Sequence, residues 1–182
     1  MKRAANRTEN CWMPITQHNE CQHGFSMIEL MIAIAVFGIL LMIAIPSFND
    51  LLLSSRLKGY ANDMVASSYL ARSEAIKRNQ TMTLCMSSNG ASCAATGDWS
   101  QGWVLLRGTT VVQVHAALKD GYSLKDSSNL TSLTFQPTGY GATQATFTLC
   151  KLTPEVGNQE RVITISATGK PSVTRTSTGS CS

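Results

Sequence analysis

From Phe25 to Ile45 the chain runs for twenty-one residues with a single charge, Glu29, and nothing else in it limits the possible folds as tightly. A run this long and this apolar is what a helix needs to cross a bilayer. A carboxylate within it costs roughly 2.5–3.5 kcal/mol at mid-membrane and less near the edge. A chain that keeps Glu29 there predicts a partner for it. Residues 1–24 are polar, and their Lys2, Arg3 and Arg7 favour a cytoplasmic N-terminus, with the C-terminal part on the far side of the membrane. An ordinary secretory signal is built differently: its charged region precedes the apolar core, and cleavage follows that core at small residues. No small-x-small site follows Ile45 here. Cleavage at Gly24, ahead of the apolar run, would keep the run in the mature chain.

Of the 182 residues, 158 follow Gly24. Setting the apolar run aside leaves roughly 130, enough for one core. The leader holds three of the fifteen Lys and Arg and two of the eleven Asp and Glu, which leaves twelve against nine. That mild, dispersed bias is no polybasic footprint. Of the six cysteines, Cys11 and Cys21 lie in the leader, and Cys85, Cys93, Cys150 and Cys181 lie beyond the apolar run. An even set of four after a membrane-targeting segment predicts two disulfides in an oxidising compartment. Four cysteines allow three pairings. The preferred one joins Cys85 to Cys93 around a short loop and Cys150 to Cys181 to tie down the tail. Zinc is the competing reading, but no CxxC pair or nearby His supplies its usual spacing, so no metal is expected.

Helical periodicity continues past Pro46. Phe48, Leu51, Leu52, Leu57, Tyr60, Met64, Val65, Tyr69, Ala71, Ala75 and Ile76 give an apolar stripe interrupted by charges, and Lys77-Arg78-Asn79 suits a helix end. After it come strand-like segments at Thr81–Met86, Trp103–Arg107, Val111–Leu118, Thr131–Gln136, Thr146–Lys151 and Arg161–Ala167. In the third of these, Val112, Val114 and Ala116 are expected on one face. Without βαβ alternation the pattern implies an α+β fold: a long N-terminal helix, membrane-spanning in its first half and amphipathic in its second, packed on an antiparallel β-sheet domain. The expected divisions are a leader at 1–24, a membrane helix at 25–45, its amphipathic continuation at 46–79, and a β-rich domain at 80–182.

The chain is poorly equipped for catalysis. His115 is the only histidine after the leader, on a strand, with no Ser or Cys motif directed at it; a solvent-facing or edge role is expected. Gly90, Gly97 and Gly102 are scattered among Ser and Ala without a Lys-Ser/Thr end, so they make no phosphate loop. Trp99 and Trp103 are expected to fill the core or seal a loop, not to stack a ligand. No catalytic residue, enzyme activity or cofactor is expected.

Gly24-Phe25-Ser26-Met27-Ile28-Glu29 resembles the processing junction of type IV prepilins and type II secretion pseudopilins. The resemblance implies that a prepilin peptidase cuts after Gly24 and that the new N-terminal residue, Phe25, is methylated. It also makes Glu29 the fifth mature residue, and Pro46 matches the helix-kinking proline that pilins commonly carry. The resemblance implies, too, that Glu29 meets the terminal amine of a neighbouring subunit as helices pack into a filament. Both groups are costly in lipid and cheap when paired. Small residues at Ala33, Ala35, Gly38 and Ala44 suit close helix packing, and Pro46 would bend or loosen the helix. The 24-residue leader is longer than many prepilins carry.

Within this superfamily the domain resembles the GspH/FimT/FimU group of minor pilins and pseudopilins. The matching segments are Tyr69–Ala75, Gly102-Trp103-Val104, Leu133–Gly139, Phe147–Cys150 and Ile163–Gly169. The resemblance implies a structural subunit that primes or joins the tip of a filament. Its partners would be other major and minor pilins or pseudopilins, the prepilin peptidase, an inner-membrane assembly platform and membrane lipid. The expected location is a single pass of the inner membrane with the C-terminal domain in the periplasm, then the filament. DNA is the alternative partner. Some FimT-type members take up DNA through a Gly-Arg-x-Arg tail, and the matching segment here is Gly169-Lys170-Pro171-Ser172-Val173-Thr174-Arg175. Lys170 and Arg175 are the candidate contacts, with Lys119, Lys125, Lys151 and Arg161 as extensions. Lysine lacks arginine's bidentate fork, and two or three cations give weak, salt-sensitive binding.

Overall fold

A computed structural model of the chain describes residues 25–152 and 159–176, with side chains at all of them but 43–47. They fall into two compact units, one ending at Ala44 and one starting at Ile45. Helix α1 (Met27–Arg78) begins where Leu30 N–H donates to Ser26 O at 3.1 Å. It ends in a Schellman turn: Gln80 N–H reaches Ala75 O, Asn79 N–H reaches Ile76 O, and Asn79 takes the left-handed conformation at φ 51°. Lys77 and Arg78 in the last turn complement the helix dipole.

In the second unit the buried side chains of α1 are Leu53, Leu57, Ala61, Met64, the adjacent pair Ser67 and Ser68, Ala71 and Ala75, otherwise three or four apart along one face. Eight strands follow in two antiparallel sheets. The first has the order β3 (Thr110–His115), β2 (Trp103–Arg107), β1 (Met82–Met86), β5 (Ser132–Phe135). The second has the order β4 (Tyr122–Asp126), β6 (Ala145–Lys151), β7 (Glu160–Ile165), β8 (Pro171–Thr176). One cluster joins the helix face to both sheets: Leu57 and Met64, then Leu84, Trp103, Leu105, Leu133 and Phe135, then Leu124, Phe147, Leu149, Ile163 and Ile165. The first sheet also buries a small cluster apart from this one, Cys85, Val104 and Leu106.

Several expectations shift. The apolar stripe names the wrong edge of the helix in places: Phe48, Leu51, Leu52, Tyr69 and Ile76 are exposed, while Leu53 and Ala61 are buried. Apolar residues occupy both faces of α1, so hydropathy alone does not choose between them. The third strand stops at His115, and Leu118 is buried off the sheet with its N–H on Ser100 O. A bulge opposite Leu105 and Leu106 moves Val112 toward the core and leaves Val114 exposed, so the two do not share a face. Strands β4 and β8 were not expected. Tyr122–Asp126 sits between charged, turn-like clusters, and β8 opens on a proline, which suits the first residue of an edge strand.

Candidate functional site

Every described side chain from Phe25 to Met42 is exposed, and among residues 27–42 only Glu29 is charged. A helix apolar all round has no stable place in water; lipid or other helices must cover it. Among the described residues no helix is long and apolar enough to cross a membrane. Ile43-Ala44-Ile45, which complete the run in the sequence, belong to the stretch without described side chains. Glu29 is exposed in the first turn of α1, where the helix dipole favours a carboxylate. Gly24 lies outside the described residues. The helical run passes through Pro46 without interruption.

Cys85 and Cys93 form a disulfide with Cα atoms 5.5 Å apart. Cys150 is also disulfide-bonded; Cys181, its expected partner, lies outside the described residues, as do Cys11 and Cys21.

The segment expected as a DNA-binding tail is instead strand β8, paired to β7 from Glu160↔Thr176 to Ile165↔Pro171. Lys170 sits in the turn before it, where its N–H donates to Ser166 Oγ and its carbonyl accepts from Ser166 N–H. Arg175 lies within the strand, with Arg161 as its register partner on β7. Arg161 also leaves the expected patch: it is buried and donates to Ser54 Oγ and Glu160 O, both at 3.0 Å. Burial, and then Arg175 across the strand pair, lower its pKa.

Sequence reasoning missed one constellation. Trp103 Nε1–H donates to Ser67 Oγ at 3.0 Å, and the His115 ring stacks on Trp103 with centroids 3.8 Å apart. His115 Nδ1 lies 2.8 Å from Ala116 O, and Nε2 lies 3.2 Å from Asp63 Oδ2. Both partners are acceptors, so a ring nitrogen donates to its partner where it carries the hydrogen. Asp63 and Ser67 are one turn apart on α1, so this set ties an edge strand to the helix. No spacing motif announces it.

A surface cleft of about 380 Å³ lies between Gly97–Gln101 and Lys125–Thr131. Its polar groups are largely occupied within the chain: Asp126 accepts from the N–H groups of Ser128, Leu130 and Thr146, Asp98 accepts from Ser100, and Trp99 Nε1–H donates to Leu130 O. Among the described residues no cluster of His, Cys, Asp or Glu is placed to hold a metal.

The family Type II transport protein GspH matches residues 60–169, well over half of the chain. The chain belongs to the GspH family. The prokaryotic N-terminal methylation motif matches residues 21–45 of the same GspH-family chain. Among solved structures, the type IV minor pilin FimU of Pseudomonas aeruginosa (strain PAO1) is similar in one crystal form at 23% identity and TM-score 0.51, covering 65% of this chain and 92% of that one. A second crystal form gives 22% identity and TM-score 0.53, covering 66% and 89%. The minor pseudopilin EpsH of the Vibrio cholerae type 2 secretion system is similar at 16% identity and TM-score 0.50, covering 66% and 97%. At these identities the likeness is one of fold, a helix packed on antiparallel sheets. No curated protein matches the sequence. The family is a class of structural pilin and pseudopilin subunits of type IV pili or type II secretion, and the methylation motif marks a membrane-anchored filament subunit.

Proposed function

We propose that this GspH-family chain is a minor subunit that primes a filament of the type IV pilus or type II secretion class, or joins its tip proteins to the shaft. The observation that carries this reading is the exposed apolar helix with Glu29 in its first turn, followed by a folded α+β domain. Residues 1–24 are the leader, 25–45 the membrane and assembly helix, 46–79 its amphipathic continuation, and 80–182 the periplasmic domain. The prepilin peptidase cuts between Gly24 and Phe25, and Phe25 is methylated. The chain first waits in the inner membrane with its assembly platform. There the lipid covers residues 25–45 until neighbouring pilin helices replace it, and Glu29 then finds a subunit's terminal amine. Pro46 eases the helix at the membrane edge.

The mature N-terminus tests this directly. Intact mass and N-terminal sequencing of the chain purified from membranes are expected to give a product beginning at a methylated Phe25. A mature chain that retains residues 1–24 would overturn the reading. No observation favours DNA as the partner: the segment matching the tail is paired as strand β8, and Arg161 is buried. The expected result of a DNA titration at low salt is no difference between the chain and its Lys170→Ala/Arg175→Ala variant.

A further inference from the structure

A sheet ends in edges, and an edge presents backbone N–H and C=O groups that another strand can pair. The two sheets here have four: β3 and β5, β4 and β8. Three are shielded. Thr143 caps β5, donating its N–H to Thr134 O at 3.0 Å and accepting Thr134 N–H at Oγ1 at 3.1 Å. Strand β4 lies against the 3-10 turn Trp99–Gln101. Strand β8 opens on Pro171 and carries Arg175, two features that discourage strand addition. Strand β3 has neither. Thr110-Val111-Val112-Gln113-Val114-His115 contains no Lys, Arg, Asp, Glu or Pro. Among the described residues, no hydrogen bond reaches its backbone except from β2. A six-residue segment with four β-branched residues and no Lys, Arg, Asp, Glu or Pro is close to the composition that recruits strands.

The bulge decides what this edge offers. A bulge is itself one way to protect an edge, but here it turns Val112 and Gln113 toward the core and sets Val111 and Val114 on the outer face, 37% and 53% exposed. Gly108, at φ 57°, makes the two-residue turn between Arg107 and Thr110. Those two residues exchange the closing hydrogen bonds of such a hairpin, so the N–H and C=O of Val111 point away from β2. At the other end, His115 is pinned by Trp103 and Asp63. The edge is therefore held in place before any partner arrives.

We propose that β3 is a self-association surface, on which a second copy of this chain lays its own β3 antiparallel and joins two four-stranded sheets into one. The strand is complementary to itself. Antiparallel pairing about the midpoint between Val112 and Gln113 sets Val111 of each copy opposite Val114 of the other, on the same face, so the exposed valines cover one another. Thr110 then faces His115, and no like charges meet. A two-fold contact of this kind is closed, uses one patch twice and stops at two copies. The inference does not depend on the filament reading.

The test uses the full chain in detergent micelles, with sedimentation over a concentration series and amide hydrogen exchange of residues 110–115. The expected result is a dimer whose formation slows exchange in β3. Val111→Lys/Val114→Lys is expected to raise the dimer dissociation constant about tenfold or more and to restore fast exchange. Both valines are partly exposed, so the domain's melting should change little; if it falls, Val111→Pro, which removes one outward N–H, serves as the second variant. A monomer at every concentration would overturn the proposal. So would a dimer that leaves β3 exchange unchanged or ignores these variants, since the apolar helix would then be the contact.

Discussion

The two halves of α1 are apolar for different reasons. From Leu53 to Ala75, buried positions recur every third or fourth residue and meet the chain's own sheets. From Met27 to Met42 every side chain is exposed, with the apolar residues on all sides. Hydropathy ranks the second stretch above the first, yet only the first belongs to a core this chain can build. The glycines sharpen the contrast with a warning. Gly38 and Gly59, one in each half, have nothing within 4 Å of where a side chain would stand. The folded chain alone explains neither.

The largest expected break in this comparison comes from Leu57→Ala. Leu57 is fully buried, and the truncation should destabilise the domain by about 2–5 kcal/mol. Ile34→Ala, an equally apolar loss in the exposed half, should leave domain melting within about 0.5 kcal/mol. Parallel thermal melts check both, and equal losses would mean that the halves are not distinct. Next is His115→Ala, which removes the stack on Trp103 and the reach to Asp63. About 1 kcal/mol is expected, since aromatic pairs contribute about 0.5–1.5 kcal/mol beyond their buried area. Gly59→Ala should stabilise the isolated domain by about 0.5–1 kcal/mol, because helical glycine is costly and no contact opposes a methyl there. A lower melting point would mean that this face is already packed.

The smallest effect concerns pH. The hydrogen bond from Arg78 lowers the Glu74 pKa. A carboxylate whose folded pKa lies below its unfolded value adds stability above the unfolded pKa, and that stability is lost as pH falls through the folded pKa. Wild type and Glu74→Gln should therefore differ slightly at neutral pH and converge in acid. A gap that widens in acid would reverse the assignment.

Much of the fold was legible because its signals are local. The helix end at Asn79, the strands over Trp103–Arg107 and Thr146–Lys151, and the short Cys85–Cys93 loop each follow from adjacent residues. What was illegible depends on neighbours far along the chain. Strand β8 reads as a tail until β7 pairs with it. Arg161 reads as a surface cation until Ser54, more than a hundred residues away, accepts a hydrogen bond from it. The Val112 bulge, invisible in the sequence, reassigns both exposed valines. On the assembly side the proposed junction at Gly24 and Phe25 rests on the sequence pattern, within the methylation motif matched over residues 21–45.

The most direct test of the central claim, that α1's exposed half with Glu29 is an assembly element and not part of the domain's own stability, is to score Glu29→Ala for incorporation into sheared filaments while measuring domain melting. The variant is expected to be processed, anchored and as stable as wild type on melting, but missing from the filaments. Normal incorporation of the variant would contradict the claim.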